Sequence, residues 1–198
     1  MNDAFFTTDH RALQDRFDSR RLADRLAETR LHTAFTDDDR AVIARAPFLW
    51  LATTDVEGWP DVSYKGGRPG FVRVIDDTTF AFPSYDGNGM YRSMGNIVSN
   101  PRVSVLFVDF EHPSRVRVRG VATLHDEREL IDQWPGSELI VTVRAEQIFP
   151  NCPRYLHEVT INAISKFAPD AGYEPPQPEW KSYPGLQPYL PTRPARQG

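Results

Sequence analysis

The stretch Phe80-Ala81-Phe82-Pro83-Ser84-Tyr85-Asp86-Gly87-Asn88-Gly89-Met90-Tyr91-Arg92-Ser93-Met94-Gly95-Asn96-Ile97 decides how this 198-residue chain reads. It opens on an apolar, aromatic run with strand character and passes into the turn residues Asp86-Gly87-Asn88-Gly89. Helical spacing follows over 90–99. A strand, a glycine-bearing turn and a helix start aim free backbone amides outward, and an anion is favoured there. Arg92, Ser93 and Asn96 fall in the first two turns as further donors, and Arg92 and Asn96 share a face. The simpler alternative is an ordinary capped helix with Arg92 in solvent.

Working outward, segments 48–54, 61–65, 71–75, 78–84, 102–110, 114–124 and 138–149 are short and rich in β-branched and aromatic residues. Turn clusters separate them. Arg115-Val116-Arg117-Val118-Arg119 alternates with period two, so one face is buried and the other wet. Residues 103–108 are nearly all apolar and read as a strand covered on both faces. Helices are expected only at 90–99 and 126–134 within this series, so strict strand–helix alternation is missing. The pattern predicts a mainly β fold with flanking helices, as a mostly antiparallel barrel.

Three regions follow: an N-terminal helical extension over 1–46, a barrel domain over 47–168, and a proline-rich arm over 169–198 that holds eight of the 17 prolines. In the extension, Leu13, Phe17, Leu22, Leu26 and Leu31 recur at helical spacing and predict one surface helix with a buried stripe. Thr36 before Asp37-Asp38-Asp39 predicts a capped helix that Pro47 ends. In the arm, Trp180, Tyr183, Leu186 and Tyr189 are anchors expected to find a surface.

Composition removes several function classes. The net charge of −4 argues against a nucleic-acid partner. No apolar run reaches the ~18–20 residues that cross a bilayer, so no membrane role is expected. Acids interrupt the arginine-rich start, unlike a transit sequence, and one cysteine suits a reducing compartment; a cytoplasmic protein is the expectation. No dinucleotide fingerprint, Walker loop or zinc motif occurs, and the five histidines lack ligand spacing. Cys152 reads as a buried structural thiol before it reads as a nucleophile. Ser63 and Lys65 lie two apart on a strand before Gly66-Gly67, so a hydroxyl and an ammonium share a face and suit an anion. A surface lysine before a hairpin turn is the equal alternative.

At these residues the sequence resembles the pyridoxamine 5′-phosphate oxidase-like, FMN-binding split-barrel superfamily, and within it a bacterial group of flavin-nucleotide-binding proteins. The matching motifs are Gly58-Trp59-Pro60, Ser63-Tyr64-Lys65-Gly66-Gly67, Pro69-Gly70-Phe71-Val72-Arg73-Val74, the long Phe82–Met90 run, Ser93-Met94-Gly95-Asn96-Ile97 and Phe149-Pro150-Asn151-Cys152-Pro153-Arg154-Tyr155. The resemblance implies a six-stranded split β-barrel that forms a homodimer, with FMN in clefts between the subunits. It implies Ser63 and Lys65 lining the cleft, Phe82, Pro83 and Ser84 beside the flavin ring, and Arg92, Ser93 and Asn96 toward the phosphate. The adjacent Arg-Lys of true pyridoxamine-phosphate oxidases is replaced by Asp86-Gly87-Asn88-Gly89 and one arginine, and their C-terminal Arg- and Trp-bearing motif has no clear match. The expectation is therefore an FMN-dependent oxidoreductase on a small molecule, with NAD(P)H as donor, distinct from those oxidases. A flavin-binding module without turnover, or a barrel holding haem or a deazaflavin, are the alternatives. No catalytic residue and no metal ligand is assigned.

Overall fold

A computed structural model describes residues 5–192. Helices α1 (Thr8–Arg16), α2 (Arg20–Arg30) and α3 (Asp37–Arg45) precede strands β1 (Phe48–Thr54), β2 (Pro60–Gly66), β3 (Arg73–Val74) and β4 (Thr79–Tyr85). Helix α4 (Arg92–Ser99), β5 (Arg102–Asp109), β6 (Ser114–His125), the short α5 (Arg128–Ile131) and β7 (Ser137–Asn151) complete the sheet region. The seven strands form one sheet in the order β2-β1-β5-β6-β7-β4-β3, each pairing antiparallel.

This corrects the six-stranded barrel. There are seven strands and the sheet is open, because among the described residues no ladder joins β2 to β4 or β3. Chemistry after β2 explains the gap. Pro69 lacks a donor and Gly70 sits at φ 88°, so the chain turns away before the edges can pair.

The core lies on one face of this curled sheet. Leu49, Leu51, Phe80, Phe82, Val105, Phe107, Val118, Val141, Val143 and Ile148 are fully buried, and Val42 and Ile43 of α3 and Met94 and Ile97 of α4 pack against them. Ala81 and Ile140 face the other way, against Ile131 and Trp134, whose Nε1 donates to the Phe71 carbonyl at 2.8 Å. Strand β4 is thus buried on both faces. The expected two-sided burial of β5 holds in part: Val103, Val105 and Phe107 are buried on one face, and on the other Val108 is buried while Ser104 and Leu106 are half-buried. A register shift at Arg119/Gly120 bends β6 against β7, and a Cβ on Gly120 would lie 2.2 Å from the Arg144 carbonyl oxygen. Only glycine fits that bulge.

The single N-terminal helix is also corrected. Asp18 adopts φ 49° between α1 and α2, which form a helical hairpin held by the Arg11–Asp24 and Arg20–Asp15 ion pairs. Its leucine stripe is not buried: Leu13, Phe17, Leu22 and Leu26 are exposed, and Ala27 alone of α2 is buried. The Thr36 cap forms as expected, with the Asp39 amide donating to Thr36 Oγ1 and the Thr36 amide returning to Asp39 Oδ2. No helix among the described residues is long and apolar enough to cross a membrane. The arm has two 3₁₀ turns, Glu179–Ser182 and Gln187–Tyr189; of the expected anchors Trp180 is half-buried, while Tyr183, Leu186 and Tyr189 are exposed. Residues 1–4 and 193–198 of the expected extension and arm lie outside the described residues.

Candidate functional site

A cavity of about 430 Å³ opens where the two edges of the sheet face each other. One wall is the start of β1 and the end of β2, with Phe48, Tyr64, Lys65, Gly66 and Gly67. The facing wall is the end of β4 and its turn, with Pro83, Ser84, Tyr85, Asp86 and Gly87. A third wall comes from the chain beyond β7, including Ile161, Ile164 and Phe167. The volume suits a small organic ligand or cofactor.

The local sequence builds each wall. Beyond Arg73↔Ala81 the outer edge of β4 has no ladder partner, so Pro83 forfeits no hydrogen bond there. A shift between Ser84 and Tyr85 ends the regular register and turns the chain into the glycine loop. Strand alternation puts Lys65 on the half-buried side of β2 and leaves Val62 and Tyr64 exposed on the other. Among the described residues no carboxylate, carbonyl or hydroxyl makes an ion pair or hydrogen bond with the Lys65 ammonium. Burial lowers its pKa below the ordinary lysine value, and Asp61 offsets this in part. Burial likewise pushes the Tyr85 hydroxyl up to about 12, so it stays protonated as a donor. A half-buried ammonium at a cavity wall, with no ion pair or hydrogen bond among the described residues, suits an anionic or electron-rich ligand.

The turn after Gly87 leads into α4. Tyr91 holds a left-handed backbone, φ 48°, at the helix start, and its hydroxyl donates to Glu138 Oε2 at 2.7 Å. Such strain in a non-glycine residue persists only where the surroundings hold it. No side chain caps α4, which leaves its first amides for another acceptor. Arg92 is exposed at this end and Ser93 is buried.

The structure therefore brings Lys65, Pro83 and Ser84 to one cavity. Ser63 shares the half-buried face of β2 with Lys65 but does not line the cavity. Phe82 is in the core at 0% exposure, beneath its neighbours Pro83 and Ser84. Arg92 and Ser93 stand at the α4 terminus, and the Asn96 amide donates to Thr53 Oγ1 at 3.0 Å. Sequence reasoning missed Tyr85, Tyr64 and the 161–168 wall. Tyr64 and Tyr85 lie inside the motifs quoted above, whereas the 161–168 wall is brought in by the chain crossing and has no motif. Cys152 is exposed, not buried: it stands one residue past the end of β7, and the Arg115 guanidinium donates to its carbonyl. Among the described residues no group of His, Cys, Asp and Glu suits a metal. A second groove of about 380 Å³ beneath α1 is walled by Phe5, Phe6 and Phe149, but its Arg117 and Arg119 are exposed to solvent.

An antiparallel sheet curled around one core, with a cleft lined by Lys65 and Asp86 at its open seam, defines the class of fold. Residues 35–165 match the pyridoxamine 5′-phosphate oxidase family, and the chain belongs to that family. No curated protein matches the sequence. Similar solved structures include HupZ of Group A Streptococcus, 23% identical with a TM-score of 0.48 over 59% of this chain and 93% of that one. HutZ, the haem storage protein of Vibrio cholerae, is 18% identical with a TM-score of 0.42 over 57% and 91%. An F420 reductase is 21% identical with a TM-score of 0.40 over 55% and 94%.

Proposed function

We propose that this protein binds FMN in the Lys65 cavity and acts as an oxidoreductase on a small molecule, with NAD(P)H as donor and a second copy of the chain completing the cleft. The observation that carries the reading is the half-buried Lys65 ammonium, without an ion pair or hydrogen bond among the described residues, in one cavity with Pro83, Ser84 and Tyr85. The residues fit the group. Lys65 would meet the polar edge of a flavin, Ser84 and Tyr85 offer hydroxyl donors, and Phe48 and Tyr64, stacked at 5.3 Å, supply a flat apolar border. Arg92 and the first amides of α4 lie outside the lining of this cavity and are the chain's candidates for the phosphate. Bound flavin supplies hydride and electron transfer at its own ring, so the chain's task is to hold, orient and exclude water. Exposed Val62 and Tyr64 on the outer face of β2, with Trp59 beside them, give a second copy an apolar surface to cover.

The test is the absorption spectrum and mass of the ligand carried by purified protein, followed by titration with FMN. Flavin bands and a stoichiometric complex are expected, bleaching with NADH or NADPH and recovering with an acceptor. Binding without donor-dependent bleaching would make the protein a flavin-carrying module. A Soret band, or preference for a deazaflavin, would reject FMN.

A further inference from the structure

The family match ends at residue 165, yet the chain beyond it continues across the same cavity. Phe167 and Ala168 line the third wall, and Ala168 is buried. Pro169 rests on Gly136, which has φ 76°; a Cβ there would lie 2.7 Å from the proline ring. Asp170 then forms an ion pair with Arg68 at 3.2 Å, just past the Lys65-Gly66-Gly67 wall. The Arg68 guanidinium also lies 5.6 Å over the Tyr173 ring, and Tyr173 donates its hydroxyl to the Lys166 carbonyl at 2.9 Å. After the stiff Pro175-Pro176 and Pro178, Lys181 forms an ion pair with Asp86 on the opposite wall. The Lys181 side chain is only 18% exposed, which is low for a lysine on an arm without a core.

We propose that residues 166–182 are a strap across the cavity and that Lys181 is a rim residue of the site, its ion pair with Asp86 setting how fast ligand enters and leaves. The strap is fixed at both walls of the seam, by Asp170 on one side and Lys181 on the other. Both fastenings are ion pairs with a solvent-exposed member, so the closure is weak, reversible and screened by salt. A ligand exchanging with solvent on this side must pass a wall whose two ends these pairs fasten. That the ligand is a flavin rests on the reading above; the strap itself does not.

FMN release is followed by the recovery of free-flavin fluorescence in wild type, Asp86→Asn, Lys181→Met and the exchanged pair Asp86→Lys with Lys181→Asp. Each single variant is expected to release FMN about fivefold faster and to lose the wild-type acceleration by salt, and the exchanged pair is expected to restore slow release. Unchanged release rates in both single variants, with FMN bound normally, would overturn the proposal. Hydrogen exchange over residues 166–182 in protein without added ligand separates this from the flavin reading. Faster exchange in the single variants and recovery in the exchanged pair support the latch even if FMN does not bind; equal exchange in all four proteins rejects it.

Discussion

Asn96 Nδ2 donates to Thr53 Oγ1 at 3.0 Å, a bond that fastens α4 to the buried face of β1. Thr53 is 2% exposed, so removing the donor strands a buried hydroxyl. Asn96→Ala is therefore expected to lower stability by about 1–2 kcal/mol in urea denaturation. FMN affinity should change far less than it does on substitution of Lys65.

Lys65 is the residue on which ligand binding depends most. Lys65→Met should weaken FMN binding by roughly 10–100-fold, the loss of one charge-assisted contact, in a fluorescence titration. Because burial lowers the Lys65 pKa below 10.5, the cation is lost earlier than in a free lysine as pH rises. Wild-type affinity should fall through that alkaline interval while the Met variant stays flat. In the same interval the unfolded chain holds more protons than the folded one, so ligand-free stability gains from this group as pH rises.

Gly120→Ala tests the bulge that bends β6 against β7. The added methyl meets a backbone carbonyl rather than a movable side chain, so the strands must part. A loss of about 1–3 kcal/mol or more is expected by chemical denaturation.

Asp109 gives an acid-side prediction. Burial pushes its pKa up, but the His112 amide and the Arg45 guanidinium outweigh this and hold it below 3.8. A lowered pKa stabilises the fold above the unfolded value and is lost as pH falls through the folded one. Asp109→Asn should cost about 1 kcal/mol at neutral pH, Arg45 being half exposed, and the gap to wild type should narrow only as pH falls below the unfolded value of 3.8. Denaturation curves at neutral pH and below that value check it.

Cys152 is exposed and stands outside the cavity lining. It should react stoichiometrically with a maleimide in the native protein. Cys152→Ser should leave flavin content and donor-dependent bleaching unchanged, as measured by absorbance.

Where local chemistry controls structure, the sequence was a sufficient guide. The expected 48–54 strand is β1 as observed, and the Thr36 cap and the turn into α4 fall where capping and glycine chemistry put them. The leucine stripe misled because periodicity reports an amphipathic helix without naming what covers it; α1 and α2 are joined by two ion pairs while the stripe stays exposed. Lys65 and Ser84 were legible as separate donors, but nothing local says that they share a cavity.

The pattern of residues by itself determined the strands, their two-residue alternation and the donor-bearing turn after Ser84, since these depend on side chains a few positions apart. The tertiary structure decided that the sheet stays open, that its unpaired edges enclose Lys65, and that Lys181 reaches Asp86 from 95 positions away. Long-range pairing has no local signature, because the energy that closes it comes from burial and charge contacts that exist only once the chain has folded.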